Sequence, residues 1–91
     1  MPSKIEASHI LVKTEQEANV AFYDATHGRN FEDVAKSVSI CPSAKKGGNL
    51  GWFGKNQMVK EFENAAFSLK KGEISKPVKT QFGWHLIKVN D

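Results

Sequence analysis

Two segments with the residue pattern of β-strands lie at opposite ends of this chain, and each has a histidine at its centre. Residues 5–13 alternate in part, which places His9 on the same side as the aliphatic residues two positions away. Residues 84–89 are a run of large and β-branched side chains, and His85 shares its side in the same way. Since a chain of 91 residues builds only a modest core, buried imidazoles at both positions require a partner or a function.

The two histidines have a structural and a chemical interpretation. A single histidine in an apolar strand is usually a core residue whose nitrogens are satisfied by hydrogen bonds. If the two strands are neighbours in one sheet, the rings of His9 and His85 come within hydrogen-bonding distance, and stacked neutral imidazoles can pass a proton between nitrogens. Two such residues on separate strands raise the weight of the second interpretation. His27, at the end of a helical stretch, is expected at the surface.

The spacing of apolar residues between these strands predicts three or four helices, two short strands and no repeats. The closing hairpin makes at least part of the sheet antiparallel, so the predicted fold class is α+β. Thr14 and Glu17 have the spacing of a capping box, and Asn30 is a candidate N-cap with Asp33 in the reciprocating position. In chain order the predicted elements are a helix that stops at Gly28, a helix over 31–38, a strand over 50–53, a helix over 58–69, an edge strand over 74–80 and a turn at 81–83.

A glycine-rich stretch over residues 41–54 contains four of the seven glycines and begins with the only cysteine, Cys41. Glycine at this density indicates an irregular loop, and such loops often carry function. A single cysteine excludes an internal disulfide, so Cys41 can matter only as a lone thiol. A nucleophilic role is disfavoured because so small a scaffold has little room for a cleft and an oxyanion hole. Zinc ligation by His9, His85 and Cys41 lacks the usual close ligand spacing.

Leu50, Met58 and Phe62 form a second candidate group. Met58 and Phe62 are one helical turn apart in the predicted helix, beside the loop that carries Leu50. A stripe of this kind is usually core. A methionine and a phenylalanine at a helix start, together with an apolar loop residue, also suit a small pocket for a compact aliphatic ring. Periodicity alone does not separate these two interpretations.

The charge and hydropathy of the chain limit the classes of partner and the location that we expect for it. The net charge of +3 comes from twelve lysines and one arginine, Arg29, against ten acids. Specific readers of nucleic acid usually depend on arginine, so we expect no specific nucleic-acid binding and at most weak lysine-mediated contact with anionic surfaces. No apolar run approaches the roughly 18 residues of a membrane span, and the opening residues lack a signal-peptide core. The expectation is a single domain over residues 1–91, located in the cytoplasm.

Several motifs in one order resemble the parvulin family of peptidyl-prolyl cis/trans isomerases over nearly the whole chain. The resemblance implies a four-stranded antiparallel sheet surrounded by about four helices, with a shallow active site on one face of the sheet. The matching sequences are ASHILVK at 7–13, CPS at 41–43, KGGNLGWF at 46–53, QMV at 57–59, EF at 61–62, AF at 66–67, GEIS at 72–75, PV at 77–78 and FGWHLI at 82–87.

Matched position by position, the resemblance implies two groups of site residues. The paired active-site histidines of the family, its cysteine-or-aspartate position and a polar neighbour of the histidines form the catalytic group. That group falls on His9, His85, Cys41 and Thr80. The residues that bind the proline ring, with an additional wall, form the second group. That group falls on Leu50, Met58, Phe62 and Phe82.

The resemblance implies rotation about X-Pro bonds in unfolded or flexible protein segments, without a covalent intermediate, a cofactor or a metal. Asn49 stands where many members have aspartate, and Lys60 where many have proline; neither position is part of the expected chemistry. The junction at residues 13–16 is short and has no arginine, so no requirement for a phosphorylated substrate is expected. We expect a monomer. The alternative is a chaperone-like module that binds peptides in the same groove with little catalysis.

Overall fold

Eight elements of regular structure follow one another along residues 3–91, the part of the chain that the computed structural model describes. Within these residues, none of the helices has the length and apolar character needed to span a bilayer. The elements are β1 (Lys4–Val12), α1 (Glu15–Thr26), α2 (Phe31–Val38), a 3₁₀ helix (Pro42–Lys46), β2 (Asn49–Gly54), α3 (Lys60–Ser68), β3 (Val78–Thr80) and β4 (Gly83–Val89).

The four strands form one antiparallel sheet in the order β2-β1-β4-β3. The first and last strands of the chain are therefore the central pair, which confirms the predicted α+β class and the four-stranded antiparallel sheet. The helix count differs from the expectation of about four, because residues 3–91 contain three α-helices. The other helical segment, which begins after Cys41, is a single short 3₁₀ helix in the stretch that the sequence indicated as an irregular loop.

Alternate residues of β1 and β4 build two separate cores on the two faces of the sheet. The face covered by α1 and α2, called here the α1–α2 face, is the first core; it contains Ile10, Val12, Ala18, Ala21, Phe31, Val34, Ala35 and Leu86. The face covered by α3, called the α3 face, is the second; it contains Ile5, Ala7, Phe53, Phe62, Ala66, Ile87 and Val89. The second half of β1 is buried on both sides, as its sequence predicted.

The helix starts agree only in part with the predicted caps. Thr14 is the N-cap of α1, and its side chain accepts a hydrogen bond from the Glu17 N–H, so the predicted N-cap is confirmed. The reciprocal half of the capping box is not formed, because the Glu17 carboxylate accepts from the Thr14 hydroxyl and not from the Thr14 N–H. Asn30 is the N-cap residue of α2, as predicted, and it is extended, but its side chain makes no capping hydrogen bond. The buried face of α2 stabilises this helix instead. The third helix begins at Lys60, so Met58 lies before it and not within it.

The predicted strand over residues 74–80 is interrupted, as its proline suggests. Only Val78–Thr80 forms a regular strand beside β4. Upstream of Pro77, Ile74 makes an isolated bridge with Lys88, and the Ser75 N–H donates to the Ile87 carbonyl. Because proline lacks an N–H to donate, it divides this edge into two short paired pieces.

Candidate active site

The two predicted histidines meet on the α3 face of the central strand pair. In the register of β1 and β4, Leu11 is opposite His85 and His9 is opposite Ile87, so the histidines are diagonal neighbours on one face. Their Nδ1 atoms are 3.0 Å apart, and the stacked rings have centroids 5.2 Å apart. Both residues are buried. The prediction that the rings come within hydrogen-bonding distance is confirmed.

Thr80 sets the direction of hydrogen bonding through this pair. Its Oγ1 accepts a hydrogen bond from the Phe82 N–H at 3.1 Å and lies 2.8 Å from His85 Nε2. Within residues 3–91 the hydroxyl has no other acceptor, so its proton is donated to His85 Nε2. His85 then carries its proton on Nδ1 and donates it to His9 Nδ1. It follows from this network that His9 carries its proton on Nε2.

Burial keeps both imidazoles uncharged. Desolvation, with a smaller contribution from the charge that His85 would carry, lowers the pKa of His9 from 6.5 to about 4. Desolvation also lowers the pKa of His85 from 6.5 to about 4. His9 Nε2 is buried and has no hydrogen-bond partner among the described residues. At neutral pH the pair is therefore a polar but uncharged floor, with one buried N–H left unpaired.

A pocket of about 400 Å³ opens over the histidine pair. The Phe62 ring meets both imidazoles edge to face, with centroid distances of 5.7 Å to His9 and 5.2 Å to His85. None of the lining side chains is an acid, a lysine or an arginine, and most are apolar. The lining residues are His9, Leu11, Cys41, Leu50, Gln57, Met58, Val59, Phe62, Phe82 and His85.

Cys41 reaches this pocket because the chain after α2 runs along the edge of β1. The pairing of β1 with β2 ends at Ser8. Beyond Ser8, the segment that follows α2 lies beside β1 where β2 no longer pairs with it. There the Leu11 N–H donates to Ser39 Oγ at 3.0 Å, and the Ile40 N–H donates to the Leu11 carbonyl at 2.8 Å. The Cys41 N–H also lies 3.4 Å from Ser39 Oγ. The thiol is free, half-buried and placed at the pocket wall.

Comparison with known proteins identifies the family of this chain. The family model Rotamase, described as a PPIC-type peptidyl-prolyl isomerase (PPIase) domain, matches residues 9–91. The chain belongs to the PPIC-type PPIase family. The resemblance to the parvulins that its motifs carry is therefore confirmed.

Relatives of this PPIase domain include long and short proteins. The foldase protein PrsA of Geobacillus kaustophilus is 55% identical over 89 residues, which are 97% of this chain and 32% of that protein. The crystal structure of PrsA from Bacillus subtilis has a TM-score of 0.95 at 50% identity, over 98% of this chain and 35% of that one. The solution structure of NmPin, a parvulin of Nitrosopumilus maritimus, has a TM-score of 0.89 at 48% identity, over 100% of this chain and 99% of that one. The chain thus spans about a third of the PrsA proteins and the full length of NmPin.

Seven of the eight predicted site residues of the PPIase domain line the pocket. The exception is Thr80, which is buried behind His85 and does not line it. Thr80 thus contacts the pocket residues through its hydrogen bond with His85. Met58 lines the pocket as predicted, although it belongs to the extended chain before α3 and not to the helix.

Three lining residues were not predicted: Leu11, Gln57 and Val59. The alternation of β1 places Leu11 on the His9 side, so that signal was present in the sequence. The position of Gln57 depends on a turn that no local sequence pattern predicts. In this turn the Gln57 Oε1 accepts a hydrogen bond from the Gly54 N–H at 2.9 Å. The Asn56 N–H, at a positive φ of 69°, bonds to the Glu63 carboxylate in the same turn. This turn brings the residues on both sides of Met58 to the pocket.

Gly48 supports the backbone under His9. The His9 N–H donates to the Gly48 carbonyl at 2.9 Å. A Cβ on Gly48 would lie 2.3 Å from the His9 carbonyl oxygen, and its φ of +87° also disfavours any side chain. One position of the glycine-rich stretch is thus explained by its close approach to the backbone of β1.

His9, His85 and Cys41 are residue types that can bind zinc, although their spacing in the sequence does not favour a metal site. Within residues 3–91, no cluster of three or more histidine, cysteine, aspartate or glutamate side chains has an arrangement that could hold a metal ion. Those three residues line one pocket without forming a ligand set.

Proposed function

We propose that this PPIase domain accelerates rotation about X-Pro bonds of protein substrates without forming a covalent bond to them. Rotation has a barrier of about 18–20 kcal/mol because amide resonance is lost in the twisted state. Loss of resonance reduces the charge on the carbonyl oxygen, so an apolar cradle favours the twisted form relative to the planar one. A 10⁴-fold acceleration needs about 5.5 kcal/mol of such selective stabilisation. The observation that carries the proposal is the uncharged pocket over the histidine pair.

In this proposal, two groups of side chains in the pocket contact different parts of the substrate. Leu50, Met58 and Phe62 hold the prolyl ring, and Phe82, which is 58% exposed, forms an outer wall. The carbonyl side of the bond rotates next to Cys41. The neutral histidines offer no charge that would stabilise the planar, more polar amide, so they favour rotation.

The direct test is a peptide-isomerisation assay across a series of X-Pro peptides. We expect catalysis with unphosphorylated peptides and a strong loss in Met58→Ala, because the ring loses a contact surface. His9→Ala removes one half of the buried pair, and turnover should fall as well. Circular dichroism must show that each variant remains folded. A folded wild-type domain that leaves the isomerisation rate at its uncatalysed value would refute the proposal.

Cys41 has a non-covalent role in this proposal. The thiol lies at the pocket wall, where a side chain of similar size preserves the cradle. We expect Cys41→Ser and Cys41→Asp both to retain measurable activity. Complete loss in both variants, with the fold intact, would indicate nucleophilic attack by the thiol instead.

The substrate need not be phosphorylated. The junction between β1 and α1 consists of Lys13 and Thr14, without an arginine to bind a phosphate group bidentately. Arg29 lies beyond α1, 3.7 Å from the Asp24 carboxylate. A clear preference for a phosphoserine-proline peptide over its unphosphorylated counterpart would overturn this part of the proposal.

A chaperone-like role is the second candidate, supported by the description of the PrsA relatives as foldases. A holding function needs the apolar pocket but not the histidine pair. Suppression of client aggregation should then survive His9→Ala and weaken in Met58→Ala, whereas isomerisation weakens in both. If His9→Ala left isomerisation unchanged, binding without catalysis would be the better description of the site.

Further proposals concern partners and location. Exposed lysines on several elements support weak contact with anionic surfaces; they include Lys45, Lys46, Lys70, Lys71, Lys76 and Lys79. Binding to anionic vesicles should disappear at high salt if it depends on these charges. We also propose a monomer and a cytoplasmic location, which sedimentation and cell fractionation test directly.

A further inference from the structure

A second apolar groove lies on the α1–α2 side of the molecule. It has a volume of about 270 Å³. Two valines that line it are exposed to water: Val20 on α1 by 58% and Val38 at the end of α2 by 42%. The complete lining is Gln16, Glu17, Val20, Ala21, Asp24 and Val38. Large aliphatic side chains clustered in a surface groove are typical of a contact site.

Residues 38–41, called here the edge segment, join this groove to the proline pocket. After Val38, the last residue of α2, the chain becomes extended: Ser39 has φ −68° and ψ 133°, and Cys41 has φ −79° and ψ 143°. Its side chains alternate, because Ser39 Oγ turns inward to the Leu11 N–H while Ile40 is 52% exposed. Val38 lines the groove at one end and Cys41 lines the pocket at the other. The edge segment thus runs from the groove at Val38, past the exposed Ile40, to the pocket at Cys41, and it contains no charged side chain.

We propose that the edge segment binds the client chain beyond the X-Pro bond, with the groove taking an aliphatic side chain of the client. The inference rests on the proposed isomerase function and names the flanking sequence that the enzyme prefers. Three residue steps of extended chain, from Cys41 to Val38, span about 10 Å. A client therefore needs roughly three or more residues beyond the bound prolyl bond to reach the groove.

The charges at the groove favour a basic residue in the client beside that aliphatic one. Glu17 and Asp24 both line the groove. Asp24 is already 3.7 Å from Arg29, whereas the Glu17 carboxylate accepts only the Thr14 hydroxyl. Glu17 is exposed and available to a lysine or arginine at the groove. The preferred flanking sequence thus combines an aliphatic side chain with a positive charge.

The continuity with the pocket points to a client as the occupant and not to a second copy of the chain. A stable protein–protein interface buries about 800 Å² on each partner, which is more than a groove lined by six residues offers. A chain segment already held in the pocket needs no such area, because the second contact is intramolecular once the first has formed.

The test compares a short X-Pro tetrapeptide with longer peptides of the same core. Each longer peptide is extended by about six residues, which include leucine and lysine, on the N-terminal or C-terminal side. With the better of the two longer peptides, the double variant Val20→Ser, Val38→Ser should reduce kcat/KM about tenfold, which corresponds to about 1.4 kcal/mol, mainly through KM. The tetrapeptide should be turned over at the wild-type rate. Tyr23→Ser, at a 61% exposed position of α1 outside the groove, is the matched control and should change neither substrate.

A readout without activity completes the test. In NMR spectra of the full chain, the methyl signals of Val20 and Val38 should shift on adding the longer peptide and stay in place with the tetrapeptide. Glu17→Gln should weaken the preference for lysine in the extension. Equal losses for both substrates, no loss for either longer peptide, or concentration-dependent dimerisation abolished by the double variant would each overturn the inference. A wild-type domain inactive on the tetrapeptide would refute the proposed function itself.

Discussion

The two faces of the β1–β4 pair are made by alternate residues of the same strands, yet one face is a closed core and the other has a pocket. On the α1–α2 face, Ile10, Val12 and Leu86 are at most 1% exposed and pack in an apolar cluster. On the α3 face, the alternate positions carry His9 and His85, with a pocket open above them. One face is closed by two helices, whereas the other is closed over only part of its length.

The difference shows where this fold makes room for a site. The third helix has nine residues and begins at Lys60, after an extended stretch that includes Met58 and Val59. Phe62 and Ala66 of this helix cover the aliphatic end of the face. In the half with the histidines, Phe62 is the residue of α3 that contacts both imidazoles, and the pocket opens where the helix no longer covers the strands.

The largest expected contrast comes from two leucine truncations, one on each face. Leu86→Ala removes a fully buried side chain from the α1–α2 core and should lower the free energy of unfolding by about 2–5 kcal/mol. Leu50→Ala removes a half-buried side chain at the pocket and should cost less stability but more activity. Chemical denaturation and kcat/KM, measured where both variants are folded, give the comparison. If Leu86→Ala lost activity in proportion to its stability, the two faces would not be independent.

The pH dependence of stability should come partly from the α3 face, because both buried imidazoles are on it. Their pKa values fall from 6.5 to about 4 on folding, so the unfolded chain binds more protons between these values. The contribution is complete above pH 6.5 and is lost as the pH falls towards 4. We expect a lower Tm at pH 5 than at pH 7, by several degrees.

A variant with one histidine fewer separates this effect from that of the carboxylates. His9→Asn should flatten the dependence of Tm on pH between about 4 and 6.5. Equal slopes in the wild type and in His9→Asn would show that the buried pair does not titrate as described.

Thr80→Val tests whether buried hydrogen bonds stabilise the α3 face in the way that apolar packing stabilises the α1–α2 face. The variant keeps the shape but leaves His85 Nε2 and the Phe82 N–H without Thr80 Oγ1. We expect a loss of about 1–3 kcal/mol in stability. The kcat should fall several-fold because His85 can then change tautomer. Thr80→Ser should restore both, and NMR of the imidazole nitrogens reports the tautomer.

The sequence predicted the parts of this arrangement that depend on alternation. The period of two in β1 placed His9 on the side of Ala7, and the two strands proved to be neighbours. The N-cap at Thr14 was equally local, and it was confirmed. These features were predictable because each depends on residues within one strand or one turn.

The rest depends on contacts between distant segments. Helical spacing placed Met58 in the helix, but the turn held by Gln57 and Glu63 delays the helix start to Lys60. The position of Cys41 follows from hydrogen bonds of the Ser39–Ile40 connection to Leu11, which no local pattern encodes. The fold class and the histidine pair were thus available from the sequence, whereas the rim of the pocket was not.

Lys60→Pro has the smallest expected effect on the free energy of unfolding. It restricts the backbone only at the start of α3, on the incompletely covered α3 face. Lys60 is the first residue of α3, where proline fits because the N–H of that position has no acceptor within the helix. Val59 before it has φ −59° and ψ 150°, the extended conformation that proline requires of its predecessor. We expect a gain of about 0.4–1 kcal/mol, measured by denaturation, because the unfolded chain loses freedom. Lys36→Pro, inside α2 on the closed side, should destabilise by about 3 kcal/mol or more. A loss of stability in Lys60→Pro would mean that α3 begins earlier than Lys60, and the boundary between the covered and open parts of its face would have to move.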